Sequence, residues 1–341
     1  MGESGASGAV AEGLEEYRGE LTGYCYRMLG SYAEAEDAVQ ESLVRAWRNI
    51  DRFEGRSALR TWVYRIATNV CLDALASGRR RALPMDLSGP SGGGTPPAPP
   101  QESVLWVEPC PGGGDPEAAA TAGESVRLAF VAALQHLPPR QRATLILRDV
   151  LGFSAREVAD LHGCTVASAN SSLQRARATL ADRRHAPDGT IVRPSGVSVR
   201  KVLAERYAAA FSRYDMEELN MLLHLDATLC LPPYSKWMRG VPDIQAWLTG
   251  PAIGCRGSRL VPTVANGSPA FGQYRPREDG TGYVPWALQV VEFRDARISG
   301  ITAYRDTDRL FPLFGLPDRL GEVEHDPALE PENGAASSAR V

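Results

Sequence analysis

A proline- and glycine-rich stretch at residues 84–116 divides this chain and limits what it can fold into. Its sequence, PMDLSGPSGGGTPPAPPQESVLWVEPCPGGGDP, lacks helical or strand periodicity, and its prolines stiffen a segment that cannot pack a core. A shorter break lies at residues 185–197, and residues 321–341, acidic and then small and polar, predict a disordered tail. The sequence therefore predicts three folded units, with a flexible linker between the first two, at residues 12–83, 117–184 and 198–320.

The composition is that of a globular protein that stays out of membranes. The chain is 43% hydrophobic and 23% charged, and no run approaches the roughly 18 unbroken apolar residues of a membrane helix. Its small, acidic N-terminus has neither the basic nor the apolar part of a signal peptide. The six cysteines form no CxxC pair, which argues against a zinc site and a dense disulfide framework. We expect a cytoplasmic protein with no membrane association, no metal site and no cofactor.

Helical spacing runs through the first unit. Ser31, followed by Glu34, has the pattern of a capping box at a helix start. The apolar face of that helix carries Ala35, Val39, Leu43, Ala46 and Trp47. The next helix has an apolar face that includes Trp62, Val63 and Ala67. Its opposite face presents Arg60, Tyr64, Arg65, Thr68, Asn69 and Asp73.

The second unit contains a candidate helix–turn–helix at residues 154–180. Ser154 and Glu157 form another capping box, Gly163 can supply the tight turn, and Thr165 is suited to cap a last helix. That helix has a polar face of the residue types that read base edges and phosphates in the major groove: Ser168, Asn170, Ser171, Gln174, Arg175 and Arg177. An ordinary helical hairpin has the same spacing, so the pattern alone leaves both interpretations open.

Two blocks of sequence resemble a known family. Residues 35–41 (AEDAVQE) and 59–69 (LRTWVYRIATN) closely resemble region 2 of the extracytoplasmic-function (ECF) sigma factors of the sigma-70 family. Residues 137–180, LPPRQRATLILRDVLGFSAREVADLHGCTVASANSSLQRARATL, resemble region 4. The order of the blocks and the linker between them make the resemblance specific, and it covers residues 12–184. It implies a transcription initiation factor that binds RNA polymerase core and directs it to promoters.

The resemblance also implies roles for particular residues. The helix that docks the polymerase clamp in this family corresponds here to Asp37, Ala38, Val39, Gln40 and Glu41. The loop at 51–57 and the exposed face of the following helix would meet the minus-ten element, with the stacking and hydrogen-bonding side chains suited to a single strand: Arg60, Tyr64 and Asn69. The polar face of the helix–turn–helix would read the minus-thirty-five element. Extended, the linker could span on the order of 100 Å, enough to bridge two promoter-binding modules.

The last unit, residues 198–320, changes from helical spacing to strand-like runs. WALQVVEFRDARISGITAYRD contains a hairpin turn at Arg294-Asp295-Ala296, so the two all-α units should be followed by an α+β domain. This unit resembles the SnoaL-like, NTF2-type domains that are fused to some sigma factors, which are curved sheets enclosing a pocket. Aromatic residues that could line such a pocket are Tyr234, Trp237, Trp247, Trp286 and Tyr304.

Several functions remain open on sequence alone. The C-terminal domain could be a regulatory module in intramolecular contact with the sigma portion, a pocket that senses a small-molecule ligand, or an enzyme that uses Asp226, His224 and Tyr234 as base and donor. Fused relatives favour regulation, so we predict no catalytic residues and no enzymatic activity. For the whole chain, the alternative is a plain DNA-binding regulator that uses only the helix–turn–helix.

Overall fold

Four parts follow one another along the polypeptide. The computed structural model describes residues 13–53, 58–77, 80–112, 127–184 and 197–321. The first two ranges form the N-terminal helical unit, and the others are the linker segment, the second helical unit and the C-terminal domain. The predicted tail from residue 322 onward, and residues 113–116 of the predicted linker, lie outside the described residues. Within those ranges, no helix is both long enough and apolar enough to cross a membrane.

The long helices of the N-terminal helical unit are α1 (Arg18–Leu29), α2 (Tyr32–Arg48) and α3 (Leu59–Ala74). Helix α1 ends at Gly30, whose φ of 72° is left-handed, and α2 begins directly afterwards. Ser31 Oγ accepts a hydrogen bond from the backbone N–H of Glu34 at 3.3 Å, which confirms the predicted helix start. The Glu34 carboxylate itself pairs with Arg81 at 2.7 Å.

The apolar face of α2 follows the sequence pattern except at its end. Ala35, Val39 and Ala46 are fully buried, and Leu43 is nearly so. The prediction is wrong for Trp47, whose side chain is 63% exposed. Successive residues of a helix are about 100° apart around its axis. Trp47 is therefore rotated away from the last core position, Ala46, and points to solvent.

The second helical unit contains four helices: α4 (Leu128–Leu134), α5 (Pro139–Leu145), α6 (Ala155–His162) and α7 (Val166–Arg184). Both bonds of the predicted capping box are present, from Glu157 N–H to Ser154 Oγ at 3.2 Å and from Ser154 N–H to Glu157 Oε2 at 2.7 Å. Gly163 ends α6 with a φ of 61°, and Thr165 Oγ1 accepts a bond from the N–H of Ser168 at 3.1 Å. The predicted helix–turn–helix is confirmed.

The C-terminal domain is helical first and then a mixed sheet. Helices α8 (Val197–Arg213) and α9 (Met216–Leu222) come first, and α10 (Val241–Thr249) and α11 (Thr307–Leu313) follow later. The six strands lie in the order β2-β1-β6-β5-β4-β3, with β1 parallel to β6 and the other pairs antiparallel. Their bounds are β1 Leu223–Cys230, β2 Trp237–Arg239, β3 Arg259–Ala265, β4 Ser268–Pro276, β5 Tyr283–Arg294 and β6 Arg297–Tyr304.

The predicted hairpin turn joins β5 to β6. Asp295 and Ala296 have φ values of 49° and 56°, so both central residues are left-handed, as a two-residue hairpin turn matching the strand twist requires. The α+β expectation for this part of the chain is confirmed. Irregular register within β4–β5 and β5–β6 bends the strands, and α8 and α10 pack against the sheet to close a cavity.

The linker segment lies against all three other parts of the molecule, and it meets the second helical unit where Asp86 pairs with His136 at 2.7 Å. Its backbone N–H groups donate to the C-terminal domain at Ser91 (to Trp237 O, 2.9 Å) and Gln101 (to Pro233 O, 3.1 Å). At its other end, the N–H of Glu108 donates to Gly30 O of the N-terminal helical unit at 2.9 Å. The composition predicts a free tether over residues 84–112, whereas here these residues are docked. The backbone groups that hold them belong to the other parts of the chain.

The second helical unit meets the sheet of the C-terminal domain at Glu292. Oε1 of this half-buried glutamate accepts a hydrogen bond from the N–H of Ala129, at the start of α4, at 3.2 Å. Burial raises the pKa of the Glu292 carboxyl above its ordinary value, while the Ala129 bond and the charge of Arg127 oppose the rise. The ionised form of Glu292 is therefore the less favourable one in the folded protein.

A Glu292→Gln variant should consequently be more stable than the wild type near neutral pH. A group with a raised folded-state pKa contributes stability at low pH and loses that contribution as the pH rises through the folded pKa. Glutamine keeps the acceptor oxygen but cannot ionise. We expect a higher midpoint of thermal unfolding at about pH 7.5 and no gain at about pH 4. Glu278→Gln, at an exposed position, is the control. An equal gain at both pH values would show that packing, and not ionisation, is responsible.

Candidate functional site

The polar face of α7 is open to solvent. Ala169, Leu173, Ala176 and Leu180 are buried against the rest of the second helical unit. The predicted DNA-contacting residues occupy the other side of the helix and are all exposed: Ser168, Asn170, Ser171, Gln174, Arg175 and Arg177. Arg177 is not free, because it makes a bidentate ion pair with Asp149 at 2.7 and 2.9 Å, which raises its pKa. The helix therefore presents its polar face to solvent.

The predicted polymerase-docking block on α2 is only partly exposed. Asp37, Gln40 and Glu41 face solvent, whereas Ala38 and Val39 are core residues with 5% and 0% exposure. A partner can therefore touch the first three but not the last two. The exposed Trp47 lies two turns beyond Gln40 on the same side of the helix. We refer to Asp37, Gln40, Glu41 and Trp47 as the α2 surface. The sequence pattern placed Trp47 on the apolar face, so only the structure shows that it is available to a partner.

The predicted minus-ten residues are not all accessible. Tyr64 is completely buried, with its ring centroid 5.1 Å from that of Phe153 in the second helical unit. The guanidinium carbon of Arg60 lies 4.6 Å from the centroid of the same Phe153 ring. Both side chains also bond the carboxylate of Glu20, each at 3.1 Å. Of the three, only Asn69 is exposed. The sequence places Tyr64 on an exposed face, and this is wrong because its ring packs between Phe153 and Tyr24 of α1, whose centroid is 5.3 Å away. Residues 54–57 of the predicted loop lie outside the described residues.

A buried arginine ties the two helical units together. Arg142 is 3% exposed and donates to Met28 O, Gln135 Oε1, Gln135 O and Leu137 O. These carbonyls include the last turn of α1 and the end of α4, whose own helices leave them without partners. Burial lowers the pKa of the Arg142 guanidinium to about 10. This contact sits inside the LPPRQR motif, but nothing in the motif indicates that the residue is buried.

The linker segment also joins the N-terminal helical unit to the C-terminal domain. The carboxylate of Glu108 accepts from Ser31 Oγ at 2.7 Å and pairs with Arg309 at 3.2 Å. The backbone oxygen of Glu108 accepts from Tyr26 Oη at 2.7 Å, and Tyr26 Oη in turn accepts from Asn266 Nδ2 at 2.7 Å. Ser31 is the N-cap of α2, so this network reaches the helix that carries the α2 surface.

A second set of bonds holds the middle of the linker segment on the C-terminal domain. Lys236 Nζ donates to Gly92 O at 2.9 Å, and Gly93 N–H donates to Asp243 Oδ1 at 3.2 Å. Gly93 passes so close to α10 that a Cβ atom there would lie 1.8 Å from Asp243 O and 2.7 Å from the backbone nitrogen of Trp247. Only glycine permits this approach.

The predicted pocket exists, with part of the predicted lining. Tyr234, Trp247 and Trp286 line a cavity of about 290 Å³ between α8, α10 and the sheet. The other two aromatic residues instead hold the linker segment: Trp237 Nε1 donates to Ser88 O at 2.8 Å, and Tyr304 Oη donates to Val107 O at 3.0 Å.

The candidate acid–base residues are not brought together at this cavity. Tyr234 is part of its wall, but neither His224 nor Asp226 is among the described residues that line it. Asp226 pairs with Arg239 at 2.9 Å, and the His224 ring contacts Arg294. The three side chains therefore do not form one constellation.

Known proteins resemble both the helical units and the whole chain. The family profile of Sigma-70 region 2 matches residues 14–81, and that of Sigma-70, region 4 matches residues 127–180. The ECF RNA polymerase sigma factor SigG of Mycobacterium tuberculosis is 44% identical over 312 residues, covering 90% of this chain and 83% of that protein. The chain belongs to the ECF sigma factor family. As a sigma factor it binds RNA polymerase and directs transcription initiation, and the region 2 match removes the alternative of a plain regulator.

Other relatives of this sigma factor cover it to different extents. The ECF RNA polymerase sigma factor SigW of Bacillus subtilis is 28% identical over 179 residues, which is 52% of this chain and 90% of that protein. The crystal structure of the M. tuberculosis ECF sigma factor SigJ superposes with a TM-score of 0.60 at 23% identity, covering 90% of this chain and 99% of that one. That coverage extends the shared fold into the C-terminal domain. Two all-α sigma units followed by an α+β domain are confirmed.

Proposed function

We propose that this sigma factor rests in a closed form, in which the C-terminal domain and the linker segment keep its two promoter-binding units packed together. The packing of Phe153 on Tyr64 and Arg60 carries the proposal. While the second helical unit packs there, Tyr64 is buried out of reach of DNA, and the partly exposed Arg60 is held over the Phe153 ring. Opening removes Phe153 from both side chains. The released linker is long enough, on the order of 100 Å when extended, for the units to reach separate promoter elements.

In the open form each surface has its own role. The α2 surface binds the polymerase clamp, Arg60, Tyr64 and Asn69 contact the minus-ten element, and the polar face of α7 reads the minus-thirty-five element. The acidic and amide groups of α2 suit a basic partner, with Trp47 as an apolar anchor of the kind that dominates protein interfaces. The exposure of Asp37, Gln40 and the α7 residues supports these assignments.

The C-terminal domain acts in this proposal by contact and not by catalysis. It contributes Asn266, Tyr304 and Arg309 to the network around the linker segment and Glu292 to the second helical unit. It thus touches every other part of the chain that the structure describes. The separation of His224 and Asp226 from the cavity supports a regulatory domain.

Run-off transcription with purified polymerase core and a candidate promoter tests the docking assignment. An Asp37→Arg/Gln40→Ala double variant should bind core at least about tenfold more weakly and lose start-specific transcripts, because reversing a charge in a docking surface opposes a basic partner. Glu16→Arg, which makes the same reversal at an exposed site before α1, is the control. Full activity of the double variant would contradict the assignment of the α2 surface.

A further inference from the structure

The cavity of the C-terminal domain has an apolar wall that includes part of the linker segment. Leucine, isoleucine and aromatic side chains make up most of the lining, with Phe211, Ile244 and Trp247 among them. One wall is formed by Pro97, which comes from the linker segment and not from the domain itself. A volume of about 290 Å³ is that of a small-molecule pocket. Whatever fills it touches both the domain and the segment between the two promoter-binding units.

The polar groups on the floor of the cavity satisfy one another. Tyr207 Oη donates to Gln289 Oε1 at 2.6 Å, Gln289 Nε2 donates to Gln273 Oε1 at 2.8 Å, and Gln273 Nε2 donates to Ser258 Oγ at 3.1 Å. This series of hydrogen bonds fixes the orientation of the Gln289 and Gln273 side-chain amides. A ligand is therefore not needed to complete the floor.

Two arginines in the cavity wall, in contrast, have unmet hydrogen-bonding capacity. The guanidinium carbons of Arg275 and Arg305 each lie 3.4 Å from the centroid of the Trp286 ring, which places them on opposite faces of the indole. Arg275 donates from Nη2 to Cys255 Sγ at 3.3 Å, a weak acceptor. The Nε atoms of both arginines are buried and have no hydrogen-bond partner among the described residues.

The charge of these arginines is not balanced locally. No aspartate or glutamate occurs among the described residues that line the cavity. Burial lowers the pKa of Arg305, with the neighbouring charge of Arg275 acting in the same direction. Keeping two positive charges at the edge of an apolar cavity without a carboxylate partner costs free energy, and a bound anion would lower that cost.

We propose that this cavity binds an organic anion, a carboxylate with an aromatic or aliphatic body, whose charged group is held by Arg275 and Arg305 and whose body lies against Trp247 and Pro97. The planar guanidinium groups match the geometry of a carboxylate. The apolar lining takes the body of the ligand and excludes a small hydrophilic anion.

The ligand keeps the linker segment docked. The cavity has its shape with Pro97 in place, so a ligand that fits it binds the docked form more tightly and shifts the population towards that form. This second step rests on the proposed closed form, whereas binding of the anion does not. The bound anion thus favours the closed form of the protein and reduces initiation.

Calorimetric titration of the full-length protein with matched probes tests the binding step. The probes are 2-naphthoate against 2-naphthamide, and octanoate against octanamide. We expect at least one carboxylate to bind about tenfold more tightly than its neutral amide. Arg275→Gln and Arg305→Gln should each remove most of that preference while leaving amide binding unchanged, and Arg256→Gln, an exposed arginine outside the lining, should have no effect.

Three results would overturn the binding step: equal affinity of carboxylate and amide, a preference that survives the Arg275→Gln/Arg305→Gln double variant, or no binding of either carboxylate up to about 10 mM. The comparison of probes on the wild type needs no variant to fold. Hydrogen exchange at the amides of Ser91 and Gly93 tests the coupling and should slow with the bound carboxylate. Unchanged or faster exchange overturns the coupling alone, and run-off transcription tests the closed form separately.

Discussion

A Gly93→Ala variant of this sigma factor should initiate transcription about fivefold more actively than the wild type at a limiting concentration of polymerase core, which corresponds to about 1 kcal/mol of lost linker docking. The added methyl group would lie 1.8 Å from Asp243 O. That oxygen belongs to the backbone of α10, so no side-chain rotation can relieve the overlap. The linker segment must therefore move off α10 and lose the bond to Asp243 Oδ1. In the proposed closed form, that movement weakens the restraint on the two helical units.

Gly94→Ala is a closely matched control. A Cβ at Gly94 meets no atom within 4 Å, so the same chemical change one residue later should leave transcription unaltered. Both variants should use the wild-type start site, because neither position touches the α7 face or the predicted minus-ten residues. Equal activity of Gly93→Ala, Gly94→Ala and wild type on several promoters would mean that docking of the linker segment does not limit initiation.

An Arg142→Ala variant should lose about 3 kcal/mol of unfolding free energy, the largest stability effect that we expect from a single substitution in the helical units. The substitution removes four hydrogen bonds at a site that water does not reach, and leaves Met28 O, Gln135 O and Leu137 O without their donor. The expected result is a lower urea concentration at the midpoint of unfolding, as measured by the helical circular-dichroism signal.

Arg140→Ala, two residues earlier on the same helix, controls for loss of an arginine. Arg140 is exposed, so this variant should stay within about 0.5 kcal/mol of the wild type. If the two variants unfolded at the same urea concentration, the buried hydrogen bonds of Arg142 would not be what holds the helical units together.

Local chemistry made much of the secondary structure readable from the sequence. Ser31, Ser154 and Thr165 start helices because a side-chain oxygen accepts a bond from a backbone N–H three residues ahead, a relation that involves only neighbours. The turn at Asp295-Ala296 is equally local. The two sigma blocks could be recognised for a similar reason, since each occupies one continuous stretch of chain.

Exposure was less predictable, even within a well-predicted helix. Helical periodicity separates two faces of α3, but it does not say what a neighbouring part covers. Tyr64 lies on the polar side of α3 and is nevertheless buried, because Tyr24 of α1 and Phe153 of the second helical unit both pack against its ring. Trp47 lies next to the apolar stripe of α2 and is exposed because nothing among the described residues packs on it.

By itself the sequence determined the main helices, the β5–β6 hairpin, the helix–turn–helix, the order of the parts and the resemblance to a sigma family. The tertiary structure decided that the linker segment is docked, that Tyr64 is covered, and that Arg275 and Arg305 face one cavity. These features depend on pairs such as Trp237 with Ser88 and Asn266 with Tyr26, which are 149 and 240 residues apart in sequence. No periodic pattern encodes such contacts, because they form only after the separate parts have folded and packed together.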